Sequence, residues 1–138
     1  MCEKIILGLV FLVSGFVQAQ TATLTVNLAG FRNNEGNVKV GLYNNEGKFL
    51  KETFLSVTTE IKALKASVQF KNLPLGEYAV SVYHDEDNDG KLKTGMFGIP
   101  KEDMACSNNA KGKMGPPQYT DAKFTVTKDS IIAVTLNN

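Results

Sequence analysis

The chain of 138 residues has two cysteines, one histidine and a formal net charge of only +1. Each shortage excludes something. Cys2 lies in the N-terminal apolar segment, away from any lipid-attachment context, and is expected to leave with it. Cys106 is then the only remaining thiol, so no internal disulfide can form. Small exported domains often rely on disulfides or a metal; here only a metal is left as a staple. Acids and bases are interspersed without a basic stripe, which argues against a nucleic-acid partner. No repeat, low-complexity segment or linker interrupts the chain, so a single domain is expected over residues 20–138.

No apolar run reaches the roughly 20 residues that a membrane-spanning helix needs. The N-terminus, MCEKIILGLVFLVSGFVQAQ, carries Lys4, an apolar run from Ile5 to Val17, and small residues at Val17 and Ala19. This is the composition of a cleaved secretory signal. Residues 1–19 are expected to be removed, leaving no membrane span. The mature chain then resides in the periplasm or is secreted.

What is abundant is alternation. Leu24, Val26 and Leu28 share one parity, as do Val38, Val40 and Leu42. The same holds for Leu64, Ala66, Val68 and Phe70, and for Tyr78, Val80, Val82 and His84. Ala122, Phe124 and Val126, then Ile132, Val134 and Leu136, complete the set. A period of two with one apolar face predicts half-buried strands. A further strand is placed at 53–59. Two NNEG turns, at Asn33–Gly36 and Asn44–Gly47, and the NLPLG turn separate strands. About seven short strands with such turns predict an all-β, antiparallel two-layer β-sandwich, immunoglobulin-like or prealbumin-like.

Between His84 and Thr120 no strand pattern is visible. Loops this long are uncommon in compact domains, and Phe97, Ile99, Met104, Met114 and Tyr119 give this one an apolar content unlike a disordered tail. It opens on HDEDNDGKLKTG. Asp85, Asp87 and Asp89 on alternate residues, Gly90, and the Lys91 carbonyl match positions 1, 3, 5, 6 and 7 of a calcium loop. Met96 stands where such loops place a bidentate glutamate, so Glu102, Asp103 or Asp121 would have to supply the last carboxylate. Calcium, held by Asp85, Asp87, Asp89 and Lys91, is the expected cofactor. Lys91 and Lys93 are the alternative means of neutralising the aspartates.

His84 reads as a hydrogen-bonded residue at the end of the core; a lone histidine without a partner is weak ground for catalysis. Cys106 reads as a small buried apolar residue. Asn108 and Asn109 read first as partners of buried backbone groups. Phe97, Tyr119 and Pro116-Pro117 read first as a satellite core. The surface alternative gathers His84, Phe97, Asn108, Asn109 and Tyr119 as a loop binding platform.

The stretch VQFKNLPLGEYAVSVYHDEDNDG resembles prealbumin-like sandwiches. The resemblance narrows over His84-Asp85, Asp87, Asp89-Gly90-Lys91-Leu92, Phe97-Gly98-Ile99-Pro100, Ser107-Asn108-Asn109-Ala110, Gly115-Pro116-Pro117 and Asp121-Ala122-Lys123-Phe124. There the chain resembles a bacterial family of exported proteins known as domain of unknown function 2141. Lys93 departs from it, since an aspartate often follows the Gly-Lys-Leu element. The resemblance implies a sandwich and export, and no established activity.

The expected function is a non-catalytic binding or accessory module, a monomer meeting an unknown protein or polymer of the cell envelope. The alternatives are an envelope hydrolase using His84 and nearby carboxylates, or a purely structural subunit. Export makes a direct prediction: mass spectrometry of the protein recovered from an extracytoplasmic fraction should show a chain beginning at Gln20, and an intact Met1 terminus would refute it.

Overall fold

Where apolar and polar residues alternate, one face of an extended chain must be covered, and strands form there. The computed structural model describes residues 8, 10, 12, 14–15, 18–88 and 103–136. Its strands are β1 (Thr21–Ala29), β2 (Asn37–Tyr43), β3 (Leu55–Glu60), β4 (Ala66–Pro74), β5 (Gly76–Asp85), β6 (Met104–Cys106), β7 (Phe124–Val126) and β8 (Ser130–Thr135). One short helix, α1 (Tyr119–Ala122), precedes β7. Strands β4, β1 and β8 make one sheet; β3, β2, β5 and β6 make the other, with β7 also paired to β5. The all-β sandwich is therefore as the alternation predicts. No helix among the described residues is long and apolar enough to cross a membrane.

Four details differ from the sequence expectation. Ala122, expected to share the strand face of Phe124 and Val126, lies instead at the end of α1, before β7 begins. The pairing is not wholly antiparallel, because β8 crosses from β7 in the other sheet and joins β1 in parallel. Residue Leu64 is not a core residue. It is 43% exposed at φ 60°, inside a turn closed between Lys62 and Lys65, and its N–H donates to Asn34 Oδ1. Finally, the segment after His84 does contain a strand, β6, too short to display an alternation.

The sandwich core gathers Leu24, Val26, Leu28, Val38, Val40, Leu42, Val80, Val82 and Val134 between the sheets. Burying each such side chain contributes about 1.5–3 kcal/mol relative to exposure. Strand β5 is buried on both faces. Tyr78, Val80, Val82 and His84 face the core, while Ala79 and Ser81 face outward under a second cluster of Tyr43, Phe49, Cys106, Tyr119 and Ala122. The aromatic rings of Tyr43, Phe49 and Tyr119 meet edge to face at 5.2 and 5.7 Å. Gly41, beside Ser81 in the ladder, keeps this layer close: a Cβ there would lie 2.8 Å from Thr53 and 3.3 Å from both Ser81 Oγ and Tyr43 OH.

The free edge of β5 is shared. Strand β7 pairs with Gly76–Tyr78 and β6 with Ser81–Tyr83, which leaves Ala79 and Val80 between them. Ser107 fills the gap. Its Oγ accepts the Val80 N–H at 2.9 Å and donates to the Ala122 carbonyl at 2.5 Å. The next two residues lie at positive φ, 60° and 50°, a region asparagine enters more readily than most residues. Asn108 Nδ2 donates to the carbonyls of Asp121 and Lys123, and Asn109 Oδ1 accepts the Thr135 N–H of β8.

Ser107→Ala removes both partners of two buried backbone groups at once. The cost should be about 1–3 kcal/mol for each group left unsatisfied, read as a lower urea midpoint with an unchanged slope. A loss below about 0.5 kcal/mol, the range of ordinary surface substitutions, would show that the gap is closed by something else.

Candidate functional site

The polar residues at the end of β5 form the densest cluster of chemistry in the described residues. Strand parity puts the His84 ring in line with Val80 and Val82, at the rim of the core, where it is fully buried. The Phe31 ring meets it edge-on at 5.4 Å. Opposite lies the Asn33–Gly36 turn, in which Glu35 N–H is capped by Asn33 Oδ1. Gly36 has φ +66°, and a Cβ on it would fall 2.0 Å from the Asp85 carbonyl oxygen. This turn can therefore approach β5 only with glycine at 36, and it brings the Glu35 carbonyl to 2.5 Å from His84 Nε2.

That contact settles the tautomer. A carbonyl oxygen only accepts, so Nε2 carries the proton, and in the neutral ring Nδ1 keeps its lone pair. Among the described residues, Nδ1 is buried without a hydrogen-bond partner. Glu86 Oε1 is 3.8 Å from it, and the Asp103 carboxylate belongs to the same group. The backbone places both carboxylates: Glu86 follows His84 by two residues, and the His84 N–H donates to the Asp103 carbonyl at 2.9 Å, extending the β5–β6 ladder. One ligand atom from each of His84, Glu86 and Asp103 lies within 4.8 Å of the others. Arg32 Nη2 sits 3.3 Å from Asp103 Oδ1.

The residues singled out in the sequence are distributed as follows. Asp85 is buried at the last position of β5, and Asp87 is exposed in the turn that follows. Asp89 and Lys91, and with them the second half of the calcium loop, lie outside the described residues, as do Phe97 and Glu102. The surface alternative needs His84 and Tyr119 at the surface, but both are interior residues, because one continues the core parity and the other completes the outer cluster. Asn108 and Asn109 are exposed, with their amides on backbone partners. Asp121 lies in α1, with its carbonyl held by Asn108. Asp103 was among the carboxylates able to supply a ligand; Glu86 was missed. Its signal was its spacing, since residues i and i+2 of an extended chain point the same way.

Cys106 is opposite Ser81 in the ladder and so faces the outer cluster. His84, three residues from Ser81, faces the core. The thiol and the imidazole are thus on opposite faces of one sheet. Burial pushes the Cys106 thiol up to about 11, and burial with Glu77 nearby pushes Tyr119 up to about 12. Tyr43 is also raised, chiefly by burial.

The family model described as "Uncharacterized protein conserved in bacteria (DUF2141)" matches residues 26–133, and the chain belongs to that family. No curated protein and no solved structure gives a significant match.

The raised thiol fixes an alkaline limit. The folded state keeps Cys106 protonated while the unfolded chain loses that proton above an ordinary value near 9.0. Stability is therefore whole below pH 9 and falls as the pH rises toward 11, by on the order of 2 kcal/mol from this group. Denaturant melts from pH 8 to 11 should show the decline, and Cys106→Ala should flatten it. An equal slope in the variant would place the alkaline sensitivity on the tyrosines alone.

Proposed function

We propose that this member of the family is an exported, non-catalytic β-sandwich module of the bacterial cell envelope, a monomer that binds a protein or polymer through the segment following β5. The observation that carries the reading is how its reactive side chains are used. Cys106 is sealed in the outer cluster with its thiol held protonated. Ser107 is committed to two backbone groups. The His84 ring is inside the core rim, tied to Glu35. A thiol nucleophile needs a depressed pKa and access, and a general base must reach its substrate. The hydrolase alternative requires His84 to do what its burial opposes.

The proposal includes export, supported by the composition of residues 1–19. It also includes a calcium ion on Asp85, Asp87, Asp89 and the Lys91 carbonyl, which holds the start of the segment. Its support is the alternation of carboxylates and the turn that begins at Asp85, whose carbonyl accepts the Asn88 N–H at 3.4 Å. Oxygen donors with a flexible shell suit calcium better than magnesium.

Binding to the native state alone raises stability by RT ln(1 + [L]/Kd), so calcium at ~100 times Kd should add about 2.7 kcal/mol. The affinity expected of an extracellular module lacking the final bidentate ligand is on the order of 10⁻⁴–10⁻³ M. Thermal melts at saturating calcium and in chelator should differ, with the gain absent in Asp87→Ala. Coincident midpoints at saturating calcium would remove the ion from the proposal. Rapid native-state alkylation of Cys106 coupled to loss of a hydrolytic activity would remove its non-catalytic premise.

A further inference from the structure

We propose that His84 Nδ1, the Glu86 carboxylate and the Asp103 carboxylate bind a divalent first-row transition ion, with zinc as the reference case. The site uses none of the four calcium donors Asp85, Asp87, Asp89 and Lys91, takes a different class of ion and does not depend on that reading.

Three observations converge. The first is the unpartnered Nδ1, a nitrogen lone pair held inside the protein. Leaving a buried acceptor unsatisfied costs about 1–3 kcal/mol, and a metal is one of the few partners that takes an imidazole lone pair without adding a proton. The second is the ring's other nitrogen. Histidines that bind metals almost always donate their remaining N–H to a carboxylate, a backbone carbonyl or water, which fixes both tautomer and ring orientation. The Glu35 carbonyl plays that part here. The third is the donor set, with two carboxylates brought within 4.8 Å of the imidazole and of each other.

One ligand pair is already near its bound separation. Zinc bonds to nitrogen and oxygen of about 2.0–2.2 Å put tetrahedral ligand atoms roughly 3.3–3.6 Å apart. The Nδ1–Oε1 separation of 3.8 Å needs little contraction. Glu86 lies in the turn after β5 with a side chain 39% exposed, so it can close the distance by changing rotamer. Arg32 holds Asp103 from the solvent side and is itself 68% exposed, a pair worth little and easily rearranged. Three protein ligands leave a fourth position for water or for a donor from outside the chain, the form of an open zinc site. The nitrogen donor and the small ligand number argue against calcium, which takes 6–8 oxygens. Imidazole suits zinc, copper, iron and nickel.

Position gives the ion a role. His84 and Glu86 stand before residues 87–102, and Asp103 stands after them. An ion shared by the three cross-links the two ends of that interval. It would add a side-chain tie to the backbone bond that already joins His84 to Asp103.

Because His84 is the chain's only histidine, one nitrogen resonance pair reports on the site. Full-length protein stripped by chelator and titrated with zinc should show a large ¹⁵Nδ1 shift while Nε2 remains protonated; cobalt should give tetrahedral visible absorption. Glu86→Gln changes only an exposed turn residue and should weaken zinc at least about tenfold, the scale on which even supporting residues of metal sites act. Asp103→Asn should do the same, and calcium should leave Nδ1 unmoved. Zinc uptake with an unchanged Nδ1 signal would mean surface binding only and overturn the proposal. So would an Nδ1 that carries a proton toward Glu86 in the stripped protein and keeps it at saturating zinc. Wild-type affinity in both carboxylate variants would do so as well.

Discussion

Strand β5 has to satisfy one edge with two strands too short to cover it. β2 supplies the other edge over Ala79 to Asp85 in unbroken register. On the far side β6 and β7 take three residues each, and the backbone between them is met by a single hydroxyl. Buried backbone groups are nearly always paired, so the position of Ser107 is a condition of folding rather than a decoration. Once Ser107 is fixed, Asn108 and Asn109 must turn at positive φ. Their amides then reach α1 on one side and β8 on the other. The outer cluster over Ala79 and Ser81 forms because the chain between β6 and β7 has been drawn across that face. One serine thus links the order of the β5 edge to the second apolar layer.

The two ends of β5 face different demands. Toward Gly76 the strand is closed by β7 and the outer layer. Toward Asp85 it runs out of apolar partners, and the core parity delivers an imidazole where Val80 and Val82 were before it. A buried imidazole needs both nitrogens answered, and the Gly36 turn answers only Nε2. The resulting asymmetry, one nitrogen tied to backbone and one grouped with two carboxylates, follows from strand register and from the room that a missing Cβ at Gly36 provides.

Much of the fold was legible because most strands bury a single face, which writes a period of two into the sequence. The inward residues of β1, β2 and β5 could be read off directly, His84 included. The outer layer could not. Its residues on β5 are Ala79 and Ser81, small or polar, so the second buried face leaves no apolar signal, and Cys106 and Tyr119 lie outside any periodic segment. Leu64 shows the reverse error: a leucine in the right parity that belongs to a turn, because Asn34 captures its N–H. At the candidate site the sequence pointed to aspartates on alternate positions. The histidine cluster arises instead from Asp103, brought back by β6, a strand of three residues with no pattern to read.

With one thiol in the expected mature chain, metal is the staple that the sequence leaves, and the structure adds another. Ser107, Asn108 and Asn109 make side-chain bonds to backbone groups of β5, α1 and its C-terminal flank, and β8, residues 13 to 27 positions away along the chain. Such bonds do for the described second half of the domain what a disulfide would do covalently, with one difference. A disulfide acts largely by restricting the unfolded chain, whereas these contacts exist only when the fold is already formed, each contributing about 1 kcal/mol net. They are therefore cooperative with the sandwich and cannot outlast it. An ion at the end of β5 would act at the place these clamps do not reach, on the interval between Glu86 and Asp103. The serine–asparagine clamp would secure the chain after β6, and metal coordination would secure the chain before it.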